Sequence, residues 1–388
     1  MFQRIAPLPS NPKESFFLWG PRKTGKTFLI KHLYPNSHRI DLLNTDSFAK
    51  YSVRPALLRE ECLANIESDP TASRLVLIDE VQKIPKLLDE VHLLIEDHHF
   101  VFGMCGSSAR KLKRGHANLL GGRAVRYELR GLTFPELGNE FDLTRLINHG
   151  YLPSHYLSGN HLKLTDSYVN EYLKEEIAAE GLVRNLPLFS DFLRAAAFSD
   201  TEIVNYSNIA SDCGVSGKTV KEYFQILQDT LIGEFLPAYT RRAKRKVIHS
   251  PKFYYFDVAL PNLLTRRGEL QLGSEMAGKA FENWLFHELK SYITYKEKSD
   301  LLSYWKLADS GREVDFVVND CEVAIEAKGT SRVRPDHLKG LRELKKEHQS
   351  IKKLLLVCLE ELPRLTDDQI LILPYRDFLQ SLWQGDVF

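Results

Sequence analysis

Gly20–Pro21–Arg22–Lys23–Thr24–Gly25–Lys26–Thr27 stands between a short apolar run, Phe16 to Trp19, and a segment patterned as a helix opening at Lys26. Glycines at both ends let the backbone curl, so that consecutive N–H groups and the helix N-terminus face phosphate oxygens. In that arrangement Lys26 reaches the outer phosphates and Thr27 offers its hydroxyl to Mg2+. Gly20, Pro21, Arg22, Lys23, Thr24, Gly25 and Phe28 complete the expected nucleotide-contacting set. A second motif follows, the apolar run Leu75–Val76–Leu77–Ile78 ending in Asp79–Glu80. Asp79, at the end of a buried strand, is placed to hold the magnesium through water, and Glu80 to polarise an attacking water. Either motif alone is weak. Together, in this order and each in strand context, they predict a nucleoside-triphosphate site; a ligand-free Gly-rich turn is the plain alternative.

Three segments separate by pattern. Residues 1–145 alternate short apolar strands with helical stretches, the strands being Ser15–Trp19, Ser37–Leu42, Leu75–Ile78, Phe100–Cys105 and Ala124–Leu129. That alternation predicts a mostly parallel sheet covered on both faces. Residues 146–265 read as helical with a hairpin near the end. Residues 266–388 read as helix, three strands, helix, two strands and a final helix. The fold class expected is α/β: a parallel nucleotide-binding sheet, a helical middle domain and a C-terminal α/β domain.

A nucleoside triphosphatase often carries a polar residue on the strand beside the acidic pair. The run Phe100–Cys105 leads into Gly106–Ser107–Ser108–Ala109–Arg110, which makes Ser107 or Ser108 the candidate. The same serines would suit a helix cap. Arg123, in Leu120–Gly121–Gly122–Arg123, is a candidate for transition-state charge in the manner of an arginine finger, with a solvated surface arginine as the alternative. His92, His98 and His99 lack a cysteine or carboxylate at ligand spacing and read as surface residues.

These pieces resemble the AAA-type ATPases of bacteria and archaea that carry a C-terminal domain of unknown function. The matching residues are Gly20 to Thr27, Leu77-Ile-Asp-Glu-Val-Gln82, Gly106 to Arg110, and Gly121-Gly-Arg123 before Leu132-Thr-Phe-Pro-Glu136. The resemblance covers almost the whole chain and implies ATP rather than GTP. Lys23–Thr24 departs from the Gln–Val usual in that family, at positions that supply backbone. The resemblance also implies rings in which one subunit's arginine completes a neighbour's site; a homo-oligomer is one expected assembly, with monomer and dimer equally compatible.

Tyr206 to Ile232 carries the pattern of a winged helix-turn-helix. Gly214 stands where the tight turn needs a positive φ, Ser216 can cap the second helix, and Val220, Phe224 and Leu227 recur at helical spacing. Lys218, Thr219 and Lys221 fall on the outward face, where a recognition helix meets phosphates or base edges. A strand from Leu231 to Tyr239 and an apolar run from Val247 to Val258 flank the basic stretch Arg241, Arg242, Lys244, Arg245 and Lys246, as a wing tip would. Double-stranded DNA is the partner this predicts, with a packing-only winged helix as the alternative.

The third segment holds a sharper constellation. Glu282 lies on a helix, Ala277 to Leu289; Asp315 follows Gly311–Arg312 on a strand; Glu326 and Lys328 project from one face of the next. Asp315 and Glu326, with Glu282, are oxygen donors of the kind that bind Mg2+, and Lys328 could orient a metal-bound water. The order resembles the restriction-endonuclease-like PD-(D/E)xK superfamily, with His337 to His348 as its second helix. The plain alternative pairs these acids with Arg312 and Lys328 in an ordinary α/β domain. Tyr292, Tyr295, Tyr304 and Trp305 read as core or rim aromatics.

At 388 residues with a formal charge of +1, the chain has no global pull toward nucleic acid, so such binding must come from local patches. Five scattered cysteines without CxxC spacing fit a reducing compartment, and no apolar stretch approaches the ~20 residues of a membrane span. The expectation is a cytoplasmic, Mg2+-dependent ATPase acting on or regulated by DNA, with metal-dependent nuclease activity in its third segment. A regulatory switch carrying an inactive nuclease-like domain is the competing expectation.

Overall fold

A computed structural model of the chain describes residues 2–107, 120–173, 185–241 and 245–388, with the backbone alone at 171–173. Ser108, Ala109 and Arg110, residues 174–184, and Arg242 and Lys244 lie outside the described residues. The chain divides into two compact units, residues 3–130 with 229–231, and residues 131–228 with 232–388 and Phe2.

In the first unit, β1 (Ser15–Trp19), β2 (His38–Asp41), β3 (Leu75–Asp79), β4 (Val101–Gly106) and β5 (Ala124–Glu128) form one sheet in the order β2-β3-β4-β1-β5. Every pairing is parallel. The central strands can be continuous apolar runs because helices α1 (Lys26–Leu33), α2 (Thr45–Val53), α3 (Leu57–Ser68) and α4 (Leu87–His98) alternate with them and leave no face wet. Phe17, Trp19, Val76, Ile78, Phe102 and Met104 pack with Leu87, Val91 and Leu94 of α4 in one core. β4 lies between β1 and β3, with Trp19 level with Gly106 and Asp79 level with Cys105. The carboxyl ends of three adjacent strands therefore deliver Gly20, Ser107 and Asp79 to one edge of the sheet, where open α/β sheets bind ligands.

The second unit begins helical. Leu186–Phe198, Tyr206–Cys213 and Gly217–Asp229 pack around Phe189, Phe192, Ile209, Val220, Phe224 and Leu227. Asn205 caps the middle helix by accepting from Ser207 N and Asn208 N. Gly214 takes φ 63° at its end, and Val215 N closes the turn on Ala210 O at 3.0 Å. Ser216 Oγ then accepts from Thr219 N at 3.1 Å at the start of the next helix.

An antiparallel hairpin follows, β6 (Gly233–Leu236) and β7 (Lys252–Tyr255). Both strands are shorter than the apolar runs that predict them, because the intervening chain turns to another partner. Ala238 bridges Tyr304 and Val247 bridges Leu307. Tyr304 and Leu307 belong to the edge of a second sheet, ordered β12-β13-β11-β10-β9-β8, built from β8 (Leu302–Lys306), β9 (Glu313–Val318), β10 (Val323–Ala327), β11 (Lys353–Cys358), β12 (Arg364–Leu365) and β13 (Ile370–Pro374). β8, β9 and β10 are antiparallel neighbours, while β10, β11 and β13 run parallel. The long helix Glu275–Tyr295 supplies Phe281, Trp284 and Leu285 to a core shared with Phe316 and Ile325. Residues 146–228 and 232–388 fall in the same compact unit, and the hairpin connection is hydrogen-bonded into the second sheet.

All five cysteines are free and buried. No helix among the described residues is long and apolar enough to cross a membrane.

Candidate functional site

The loop after β1 is shaped by close approach. A Cβ on Gly20 would stand 2.3 Å from Leu129 O, so only glycine fits there. Gly25 takes φ 96° at the N-terminus of α1, a conformation that side chains disfavour, and Lys23 takes φ 62° with its side chain exposed. Thr24 Oγ1 donates to Pro21 O at 2.8 Å, and the guanidinium of Arg4 holds Thr24 O together with Arg130 O. Lys26 is buried and folds back over the loop, its Nζ donating to Gly20 O at 2.6 Å and Pro21 O at 2.9 Å. Burial draws the Lys26 amine below its ordinary pKa, and the nearby Cys105, Glu80 and Asp79 oppose that shift. Phe28 is exposed beside the loop and stacks on His32.

Thr27 Oγ1 donates to Asp79 Oδ2 at 2.6 Å, so the two expected magnesium-holding residues meet. Asp79 Oδ1 accepts from Cys105 Sγ at 2.8 Å and from Glu80 N at 3.1 Å. Burial, reinforced by Asp79, lifts the Cys105 thiol well above its ordinary pKa, which keeps it a neutral donor to the carboxylate. Thr27 and Asp79 offer oxygens only, the donor type a hard cation such as Mg2+ takes, and these residues fit it. Glu80 is buried and takes φ 56°, ψ 43°, a left-handed conformation rare for a residue with a side chain. That backbone turns its carboxylate away from the strand direction and toward Gln82, whose Nε2 donates to Glu80 Oε2 and, at 3.3 Å, to Ser107 Oγ. Gln82 therefore links the acid after β3 to the serine after β4. Arg123 pairs instead with Glu96.

A second charged centre lies in the other unit. Glu282, Asp315, Glu326 and Lys328 do come together: Lys328 Nζ stands 2.6 Å from Glu326 Oε1 and 3.9 Å from Asp315 Oδ2, and Ala327 N donates to Asp315 Oδ2 at 2.9 Å. The residue in their midst is Lys252, from β7. Its side chain is 2% exposed, and its Nζ contacts Glu282 Oε1 at 2.9 Å, Glu313 Oε1 at 2.5 Å and Asp315 Oδ1 at 3.4 Å. Tyr254 OH, two residues along the strand, donates to Glu282 Oε1 at 2.7 Å. Burial alone would lower the Lys252 amine, yet Glu282 and its fellow acids hold it well above its ordinary pKa. Burial pushes Glu282 up to about 7 and Glu326 up to about 8, the latter with help from Asp315. Burial works the same way on Asp315, but Lys328 and Lys252 outweigh it and keep that carboxyl below its ordinary value.

The expectation that Asp315 and Glu326 hold Mg2+ does not fit this arrangement, because Lys252 Nζ already stands at Asp315 Oδ1 and Lys328 Nζ at Glu326 Oε1. Among the described residues no three His, Cys, Asp or Glu side chains are disposed to hold a metal ion.

The basic residues expected at nucleic acid divide. Lys218 and Lys221 are exposed and line an open groove of about 760 Å3 with Tyr206, Ser207, Gly217 and Ser250. Lys221 Nζ lies over the Tyr206 ring at 5.3 Å. Arg241 and Lys246 are exposed. Arg245, expected at a nucleic-acid contact, is instead engaged by Glu347 at 2.5 Å and Glu343 at 3.0 Å. The helix Lys339–Glu347 supplies both acids, and Arg245 lies beside it with Val247 bridged to Leu307, just past β8.

No curated protein matches this chain. Residues 12–138 match the AAA domain family, and they contain the whole of the loop, the Asp79–Glu80 pair and Ser107. Their parallel sheet and glycine loop have the fold of a P-loop nucleotide-binding domain. Beyond the AAA domain, residues 140–271 and 277–378 match two domains of unknown function, DUF8612 and DUF4143. Among solved structures, the Aeropyrum pernix ORC1 protein in complex with DNA is 12% identical over 66% of this chain and 87% of its own, with a TM-score of 0.27. A Pyrococcus horikoshii signal transduction ATPase with numerous domains and a tetratricopeptide repeat sensor is 14% identical over 75% of this chain and 44% of its own, with a TM-score of 0.24. Likenesses this distant carry no argument about how the AAA domain or its neighbours work.

Proposed function

We propose that the protein binds and hydrolyses ATP with Mg2+, and that it acts on, or is regulated by, double-stranded DNA. The observation that carries the first part is the Thr27–Asp79 contact at 2.6 Å with Glu80 beside it. Mg2+ held by Thr27 and Asp79 would neutralise charge on the phosphate oxygens. Lys26 would exchange its bonds to Gly20 O and Pro21 O for the outer phosphates. The backbone N–H groups of Gly20 to Thr27, with the N-terminus of α1, would cradle the rest. Glu80 would accept the hydrogen bond of the attacking water, with Gln82 fixing its carboxylate and Ser107 presented to the γ-phosphate.

The groove lined by Lys218 and Lys221 supports the DNA part, as the exposed face of a helix-turn-helix with a neighbouring hairpin wing. ATP turnover measured with and without double-stranded DNA, across a salt series, tests both parts. Stimulation that fades at high salt is expected, and Glu80→Gln should bind ATP while hydrolysing it slowly. A Lys26→Ala variant that turns over ATP like the parent would overturn the reading.

Lys252 favours a second reading, in which ATP sets the state of an interaction module whose nuclease-like C-terminal region does not cut. Supercoiled DNA left intact with Mg2+ or Mn2+, with and without ATP, supports it. Nicking that disappears in Asp315→Ala overturns it in favour of a nuclease.

A further inference from the structure

Three short helices of the second unit, Leu143–His149, His161–Ser167 and Ala259–Leu264, enclose a cavity of about 410 Å3 together with the loop that follows the third. That volume falls within the ~300–1,000 Å3 of small-ligand sites. Two asparagines build its frame. Asn148 Nδ2 donates to Leu270 O at 2.9 Å, and its Oδ1 accepts from Leu270 N at 2.7 Å. Asn262 Nδ2 donates to Ile147 O at 2.8 Å, and its Oδ1 accepts from Arg267 Nη1 at 3.2 Å. These amides are spent on holding residues 265–270 against the helices, so other groups must meet a ligand.

Arg266 and Glu269, both exposed, line the cavity from that loop. Among the described residues neither side chain has a hydrogen bond or an ion pair, to the other or to any neighbour. Arg266 takes φ 54°, a left-handed conformation held by its N–H on Leu263 O at 3.1 Å and by Arg267 N on Asn262 O at 3.0 Å. Its guanidinium therefore starts from a fixed backbone. On another wall His149 and His161 stack, with ring centroids 3.6 Å apart and planes 13° apart. His149 Nδ1 donates to Tyr156 O at 3.2 Å, which sets the orientation of its ring. Burial and the His149 ring, against the pull of Glu269, draw His161 below its ordinary pKa, so that ring is uncharged at pH 7. The pair presents a flat ring surface, and Leu162 and Leu263 supply an apolar one.

One unpaired cation and one unpaired anion on a single loop, facing rings and leucines, complement a molecule with both charges at one end and an apolar group at the other. A simple anion would meet the repulsion of Glu269, and a simple cation that of Arg266. We propose that this cavity binds a free α-amino acid with an apolar or aromatic side chain. Its carboxylate pairs with Arg266, its ammonium with Glu269, and its side chain lies among Leu162, Leu263 and the histidine rings. The inference rests on neither ATP hydrolysis nor DNA.

The test is calorimetric titration of the full chain, free of nucleotide, with L-tryptophan, L-phenylalanine and L-leucine. At least one should bind as a single equivalent with a Kd below about 1 mM. The tightest binder is then compared with its analogues lacking the ammonium or the carboxylate (for tryptophan, indole-3-propionate and tryptamine). Each analogue should bind at least about tenfold more weakly, the loss expected of one charge-assisted bond. Arg266→Gln and Glu269→Gln alter exposed positions and should fold as the parent does, and each should weaken the amino acid by about the same factor. Failure of all three amino acids to bind, an analogue that binds as tightly as its parent amino acid, or unchanged binding in either variant overturns the proposal.

Discussion

Gln82→Leu should slow ATP hydrolysis without weakening ATP binding. Gln82 is 3% exposed, and its Nε2 donates to the buried Glu80 carboxylate and to Ser107 Oγ. Leucine fills similar space and donates nothing, so Glu80 loses a charge-assisted donor worth about 1.5–3 kcal/mol. If that loss falls on the transition state, at about 1.4 kcal/mol per tenfold in rate, kcat falls roughly 10- to 100-fold. The bonds that shape the phosphate loop, from Thr24, Lys26 and Arg4, do not involve Gln82, so the Kd for ATP should stay within about threefold of the parent's. Single-turnover phosphate release gives the first quantity and a fluorescent ATP analogue the second. Gly106→Ala should reproduce the defect, because a Cβ there would stand 2.1 Å from Gln82 Oε1 and displace the amide. A Gln82→Leu protein whose kcat lies within twofold of the parent, or whose Kd weakens as much as its kcat falls, refutes the positioning role.

Three further outcomes follow from the second unit. Glu288 is fully buried, accepts from Phe134 N and Trp383 Nε1, and is pushed by burial up to about 8. An unfolded glutamate titrates near about 4.3, so between these values the folded chain holds the extra proton, and its stability must fall as pH rises through about 8. Glu288→Gln should flatten the melting temperature against pH between 5 and 8; an unchanged slope contradicts the burial argument. On DNA, Lys218→Ala and Lys221→Ala should each weaken binding similarly across sequences and reduce the salt slope by about one. Arg245→Ala should leave DNA affinity alone and lower the melting temperature, since it strips the cation from the buried Glu347. Equal loss of DNA binding in all three variants would contradict the division described above.

The candidate nucleotide site is legible in the sequence because its signals are local. A glycine needed for close approach, a lysine six residues on and an acid at a strand end are all written within single elements. The parallel sheet was legible for the same reason, as SFFLW and LVLID can be buried on both faces only between helices. What escaped depends on distant partners. Gln82 could have been suspected from its place two residues after Glu80, but its reach to Ser107 depends on the left-handed turn at Glu80. Lys252 left one trace, a lone charge at the head of the apolar strand Lys252–Tyr255, and nothing in the sequence says that three acids beyond residue 280 contact it. Arg245 was misread because a run of like charges looks solvated until the acids of Lys339–Glu347 are brought beside it.

The hairpin lysine bears on modularity. Family boundaries fall between residues 271 and 277, which assigns Lys252 to one module and all of its acidic partners to the next. A fragment cut at that seam keeps Glu282, Glu313 and Asp315 but surrenders a cation they share, along with the Tyr239 and Lys246 backbone bonds beside β8. The two modules cannot be exchanged independently between proteins: a new C-terminal partner must arrive with acids that match this lysine, or the lysine must change with it.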